Sequence, residues 1–266
     1  MSLFFNYDRP GPGVDKNAPP QKAVPRFFSI LQRKFFDLIK LNLLFCIPVA
    51  GAVALFLLLN SVCPYVPVSL LPAILLFPFL GGLTYVTRNY AMEEHAFIFS
   101  DFKDAVKNNW KYFLFDGIFC YVVGIILYFS ISFYWVNIFK GFFSAIACGI
   151  GILLAIILLF SQYYVPVMIV TFDLKFKQIL KNSFIFAIIG LWRNLLVTAL
   201  LGLLAFLLYI ALMTPLTIII ALAFAILLLF SYSSFLINFA TYPLINKMMI
   251  KPYQKQNGES DNGEKK

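Results

Sequence analysis

Residues 142–171, FFSAIACGIGILLAIILLFSQYYVPVMIVT, run for thirty positions without a charge, and residues 172–182, FDLKFKQILKN, follow with three lysines. A helix needs about 20 apolar residues to cross a hydrocarbon core of roughly 30 Å. A run of that length with an abrupt basic border therefore reads as a membrane span that ends at a water interface.

The same alternation fills the rest of the chain. Five further runs qualify, at about 41–60, 65–87, 112–137, 194–212 and 215–240. The 266 residues are 61% hydrophobic and only 12% charged, with a mean hydropathy of +0.86, a composition foreign to soluble domains. Because the runs are continuous instead of alternating with period two, helices are predicted in preference to barrel strands. An irregular spanning segment would leave its backbone polar groups unpaired in lipid. The expected fold class is an all-α integral membrane protein, six transmembrane helices in a single domain over 1–250. The first run begins near Leu41, behind a polar Pro-rich tail without a small-residue cleavage site, so no secretory signal peptide is expected.

Twenty of the twenty-one Lys and Arg residues fall in four segments. Arg9, Lys16, Lys22, Arg26, Arg33, Lys34 and Lys40 precede the first run. Arg88, Lys103, Lys107 and Lys111 join the second to the third, Lys175, Lys177, Lys181 and Arg193 the fourth to the fifth, and Lys247, Lys251, Lys255, Lys265 and Lys266 end the chain. The intervening connections carry only Lys140. This count predicts a multi-pass protein of a bacterial plasma membrane with both termini in the cytoplasm. It also accounts for the net charge of +9 through the anionic inner leaflet, without nucleic-acid binding.

The two long basic connections resemble each other. Phe102-Lys103-Asp104-Ala105-Val106-Lys107-Asn108-Asn109-Trp110 aligns without gaps on Phe176-Lys177-Gln178-Ile179-Leu180-Lys181-Asn182-Ser183-Phe184, a repeat at a spacing of 74 residues. Each copy precedes a helix running in the same direction, so a parallel internal repeat about the membrane normal is expected. Phe102, Val106 and Trp110, like Phe176, Leu180 and Phe184, recur every four residues with lysines beside them, the pattern of an interfacial amphipathic helix. Asn108 and Asn182 are expected to bond free backbone groups where each helix bends into the following span. Two readings stand: a pair of membrane-surface anchors, or a docking surface for another subunit.

A third amphipathic helix is predicted over 25–40, with Pro25 in its first turn and Phe27, Leu31, Phe35 and Leu38 on one stripe. The Pro/Gly-rich loop before it, 1–24, contains Asn6, Tyr7, Asp8 and Arg9, and the polar tail 251–266 is expected to be disordered.

The opening Asn6-Tyr7-Asp8-Arg9-Pro10-Gly11-Pro12-Gly13-Val14, the basic amphipathic segment and the later Lys107-Asn108-Asn109-Trp110-Lys111 together resemble the YesL-type family of bacterial membrane proteins, a domain of unknown function (number 624). The likeness extends over most of 1–250. It implies a multi-span helical protein of Gram-positive-type bacteria, commonly encoded near carbohydrate ABC importers and polysaccharide-degrading enzymes. It brings no catalytic residues.

Motifs for chemistry are missing from the sequence: no phosphate-binding Gly-x-x-x-x-Gly-Lys loop, no Gly-x-Ser-x-Gly elbow, no His-Glu-x-x-His helix. The single histidine, His95, stands beside Glu93 and Glu94, too few ligands for a metal centre. Cys46, Cys63, Cys120 and Cys148 lack close spacing, so no disulfide is predicted. Asp116 and Asp173 sit at span ends, where pairing with Lys111 or Lys175 is expected, which weighs against ion-coupled transport. Pro48, Pro72, Pro78, Gly81, Gly82, Ser161, Gln162, Tyr163, Tyr164, Pro166, Ser231, Ser233, Ser234 and Asn238 are the remaining polar or helix-bending positions within spans. They either line a cavity, with Gln162, Tyr163 and Tyr164 as its candidates, or bond and pack between helices. Gly149 and Gly151 are expected to be close-packing points.

The function expected is therefore that of a non-enzymatic membrane accessory or assembly partner, without cofactor, with the permease subunits of a sugar ABC importer as its expected partner. Phe102, Lys107, Asn108, Trp110, Phe176, Lys181, Asn182 and Phe184, with Asn6 to Arg9, are the candidate docking residues. The alternative is an independent transporter or facilitator of a small uncharged solute such as a sugar. A homo-oligomer is left open.

Overall fold

Proline and the membrane together decide how these helices are cut. The computed structural model describes residues 22–252 apart from position 216, and among the described residues it is helical with six helices long and apolar enough to cross a membrane. The chain runs through α1 (Ala23–Arg33), α2 (Phe35–Val62), α3 (Val66–Leu70), a 3-10 stretch (Leu71–Leu76) and α4 (Phe77–Met92). It continues through α5 (Ile98–Val136), α6 (Phe142–Gln162), α7 (Val165–Thr171), α8 (Phe176–Ile189) and α9 (Leu191–Met213). The last span is α10 (Ile218–Phe224), a π-helical stretch (Ala225–Leu229), α11 (Phe230–Ile245) and a second π stretch (Asn246–Ile250). The loop 1–21 and the tail 253–266 lie outside the described residues, and with them Asn6, Tyr7, Asp8 and Arg9.

Three of the spans are interrupted. In the second, Pro67, Pro72 and Pro78 each stand in the first turn of a helical piece, where a missing N–H leaves no ladder bond unmade. In the fourth, Pro166 has no N–H to give the carbonyl of Gln162, so α6 stops there and the chain turns through Tyr163 and Tyr164 before α7. The sixth is interrupted by its first π stretch.

Two expected helices are built differently. The segment 25–40 is broken at Lys34 (φ −104°, ψ 11°), leaving α1 as a separate helix and Phe35 exposed. Its buried stripe is Phe27, Ile30, Leu38, Leu41 and Phe45, with Ile30 in place of Leu31. The first basic-aromatic segment is not a separate helix bent into the third span: α5 is continuous for 39 residues. At 1.5 Å per residue it is about 58 Å long, roughly twice the hydrocarbon core. Neither Asn108 nor Asn182 makes a side-chain hydrogen bond among the described residues; Asn109 does, donating to the Ala105 carbonyl at 3.1 Å. The second segment forms α8, set apart from α9 by Gly190.

Contacts bring α1, the 93–97 connection, the end of α7 and the end of α11 together at one end of the bundle, which is the end carrying the basic segments. Phe27 stacks on Phe235 at 5.2 Å and meets Phe239 edge-on at 5.2 Å. Arg88 of α4 reaches the Val170 carbonyl at the end of α7 at 2.8 Å. One buried cluster joins α1, α2, α4, α11 and the start of α5, including Leu38, Val86, Tyr90, Phe102 and Phe235. A second joins α5 to α9, including Phe113, Tyr164, Met168, Ile179 and Val197.

Helices α4 and α5 approach each other closely. Phe102 and Phe113 of α5 fill notches left by Gly82 and Gly81, and Phe77 fills one at Gly117. Of the two glycines expected to pack closely in the fourth span, Gly151 does so against Ile131, whereas Gly149 faces open space.

Packing is uneven along the membrane normal. In α5 the buried residues are Phe102, Ala105, Phe113, Asp116 and Gly117, and in α9 only Asn194 and Val197. All lie in the half of the helix nearer the basic end, and the far halves turn apolar side chains such as Phe129, Phe133, Leu203 and Phe206 outward.

Candidate functional site

Polar groups within the bundle fall into three sets. In the first, Asn42 of α2 is fully buried. Its Nδ2 donates to the Ala225 and Ile226 carbonyls at 3.2 and 2.7 Å, and its Oδ1 accepts from the Phe230 and Ser231 amides at 2.8 and 2.9 Å. One side chain thereby closes the backbone bonds that the π stretch leaves open.

In the second, the break in the fourth span is tied to its neighbours. The Tyr164 hydroxyl donates to Asn194 Oδ1 at 2.8 Å, and Asn194 Nδ2 donates to the Ala187 carbonyl at 3.0 Å. Tyr163 and Thr198 share a hydroxyl bond of 2.9 Å. Gln162 Nε2 donates to Asp116 Oδ1 at 3.2 Å. The three candidate cavity residues are thus brought to one level, each bonded to an adjacent span. Gly190 is needed beside them, since a Cβ there would overlap the Tyr164 hydroxyl.

Asp116 departs from expectation. Its side chain is fully buried, and Lys111 is no partner for it. Five residues apart on a helix, the two point about 140° away from each other. Beyond Gln162 the carboxyl has only the Cys120 thiol at 3.9 Å, and Oδ2 has no hydrogen-bond partner.

The third set lies at the basic end itself. Arg88 is buried without a carboxylate. Its Nη1 donates to the Val170 carbonyl at 2.8 Å and to Thr171 Oγ1 at 3.0 Å, while Nε and Nη2 donate to Asn89 Oδ1 at 3.2 and 2.9 Å. A cation at the C-terminal carbonyls of α7 complements the helix dipole. Beside it opens a cleft of about 320 Å³, bounded by Asn109 and Tyr112 of α5, Thr171 at the end of α7, Phe172 to Leu174 after it, and Ile179 of α8.

Across the same end, α4 stops in a left-handed cap at Glu93 (φ 63°). The Glu94 amide donates to the Asn89 carbonyl at 2.8 Å and the Glu93 amide to the Tyr90 carbonyl at 3.0 Å, the paired bonds of a Schellman motif. Glycine is the usual residue here. Glu93 stands in its place because both carboxylate oxygens are taken, one by Arg26 and one by Arg33, at 2.8 Å each. Those bonds hold α1 down on the bundle.

Arg33 and then Arg26, by hydrogen bonding, hold the Glu93 carboxyl below its ordinary value. A folded-state value below the unfolded one stabilises above the unfolded value, and the gain is lost as pH falls through the folded one. Half-exposed, the pair is worth no more than about 1 kcal/mol. Protection of α1 amides against hydrogen exchange, corrected for intrinsic rate, should fall as pH drops below the ordinary carboxylate range. Glu93→Gln should show the lowered protection already at neutral pH; flat wild-type protection through the acid range would refute the latch.

The candidate docking residues are dispersed. Phe102 is buried against Gly82, Phe176 and Phe184 are half-buried, and Trp110 is 45% exposed. Lys107, Asn108 and Lys181 are exposed and Asn182 is half-buried. Among the described residues no group of His, Cys, Asp and Glu is placed to hold a metal, and all four cysteines are free thiols. His95 lies against the Phe97 ring. Asn42 and Arg88 were missed as buried polar anchors. The sign available for Asn42 was an amide at the start of an apolar run.

Residues 38–131, the first two spans and most of the third, match the model of the family described as Protein of unknown function, DUF624. YesL-type is the naming of this family, so the resemblance read from the sequence is shown over that segment. No curated protein and no solved structure matches the chain.

Proposed function

On the match to that family we propose that the protein is a non-enzymatic accessory or assembly partner of a membrane complex, docking through its basic end. This reading takes the basic end, with both termini, to be cytoplasmic in a bacterial plasma membrane. The observation that carries it is the set of exposed lysines on and beside the two resembling segments, Lys103, Lys107 and Lys111 on α5 and Lys175, Lys177 and Lys181 at α8. None makes an ion pair among the described residues.

The length of α5 favours a partner over a lipid anchor for the first segment. If Lys111 lies at the interface, Lys103 stands about 12 Å further along the same helix, so it projects from the bilayer instead of lying on it. Trp110 beside Lys107 and Lys111 supplies an aromatic contact of the kind enriched at interfaces. The genomic company implied by the YesL-type resemblance makes the permease subunits of a carbohydrate ABC importer the candidate partner.

Purification from native membranes in mild detergent should recover those subunits in stoichiometric amount. Charge reversal at Lys103, Lys107, Lys177 and Lys181 should abolish the recovery while leaving the protein folded. Recovery of this chain alone, with importer subunits present in the membrane, would overturn the proposal.

The breaks in the second, fourth and sixth spans favour a second reading, an independent transporter of a small uncharged solute, because interrupted helices near the midplane are where transporters bind. Solute flux into liposomes holding only this protein would establish it.

A further inference from the structure

Asp116 has two oxygens and one strong partner. Gln162 Nε2 serves Oδ1 at 3.2 Å, while Oδ2 is buried with no hydrogen bond. Such groups within spans are rare because lipid does not solvate them, and they mark ion or proton sites.

The surroundings discriminate between cations. Gln162 is the last residue of α6, so the carboxyl is bonded at the break between α6 and α7 inside the membrane. A carboxylate there would carry an unpaired charge. No basic side chain offsets it: Lys111 is directed to another side of α5, and Arg88 of α4 is engaged with Val170, Thr171 and Asn89. The other titratable groups on packed elements are Cys120 at 3.9 Å, Tyr163, which is bonded to Thr198, and toward the basic end Tyr112 and Asp173. None is positively charged. A sodium or larger ion takes about six oxygen ligands or more, and this cluster of one carboxyl and one amide does not supply them.

Asn109, Tyr112 and Asp116 follow at i, i+3 and i+7 on α5, one face of the helix. The first two line the cleft at the basic end, whose volume of about 320 Å³ holds roughly ten waters. Tyr112 stands about 6 Å along the helix from Asp116. The cleft lining thus ends about one helical turn from the carboxyl.

We propose that Asp116 is an intramembrane proton-binding site, loaded from the cleft beside Asn109 and Tyr112. The proton occupies Oδ2, leaves Oδ1 to accept from Gln162, and removes the charge that would otherwise stand unpaired between α5 and α6. Neither docking nor transport is required for this assignment.

Infrared spectroscopy of the full chain in lipid nanodiscs reads the proton directly through the C=O stretch of a protonated carboxyl. At neutral pH the wild type should show this band and lose it as pH is raised, and Asp116→Asn should lack it at neutral pH. The substitution is close to isosteric and keeps an oxygen for Gln162. Should it fail to fold, wild type labelled with ¹³C at the Asp side-chain carboxyl serves instead, since Asp116 is the one fully buried aspartate among the described residues. An isotope-shifted protonated band at neutral pH supports the site. Its absence, or a band unchanged in Asp116→Asn, overturns it.

Discussion

Asn42→Leu is expected to be the most damaging single substitution in the first span, lowering stability by about 4 kcal/mol. Leucine has the same branching and heavy-atom count but serves none of the four backbone groups that Asn42 serves. Each buried donor or acceptor left unpaired costs about 1–3 kcal/mol, and two of the four regain partners if the π stretch tightens to an α-helix. That tightening removes one residue from the turn and rotates α10 by about 100° against α11. Its neighbour Cys46 touches the same Ile226 carbonyl only at 3.5 Å, so Cys46→Ala should cost under about 1 kcal/mol. Equilibrium unfolding in mixed micelles measures both. An Asn42→Leu protein as stable as Cys46→Ala would show that the amide is not closing the ladder.

Two glycine-to-alanine substitutions should have opposite signs. At Gly82 an added Cβ would stand 2.5 Å from Phe102 Cδ2 and 2.7 Å from the Phe102 carbonyl oxygen. A ring can turn aside but a carbonyl in a helix cannot, so α4 and α5 must separate, at about 3 kcal/mol. Phe102→Ala in the same protein should fail to rescue Gly82→Ala, because the carbonyl remains. At Gly149 nothing lies within 4 Å, and Ala should stabilise by about 0.5–1 kcal/mol through helix propensity alone. The same unfolding titration decides the matter; equal effects at the two sites would contradict the described contact.

Lipid explains why the six spans could be read in the sequence: crossing it demands a run of apolar residues whose length is set outside the protein. Positions within a span are set by neighbours, and there the sequence was less informative. The stripe Phe102, Val106, Trp110 drifts by about 40° per step, whereas the buried face follows Phe102, Ala105, Asn109 and Phe113 at steps of three and four, which leaves Trp110 outside. Asp116 looked like an interfacial residue because Lys111 is near in sequence, although helical geometry turns it elsewhere. Asn42 acquires its role from a π stretch more than 180 residues away. Gln162, Tyr163 and Tyr164 were found as a polar cluster, since a Pro four residues after Gln162 marks the break, but their partners Asn194 and Thr198 carry no mark of their own.

The concentration of buried side chains toward the basic end makes the bundle a set of levers sharing one fulcrum. Near the fulcrum, interlocked rings and glycines fix the helix spacing. Toward the far tips fewer side chains interlock, so in a bilayer the lateral pressure of the acyl chains would share in setting how widely the tips stand apart. A shift of one helix at the fulcrum is magnified along its length, and a change in lipid thickness at the tips is returned to the fulcrum as torque. The membrane is in that sense a mechanical component of this fold.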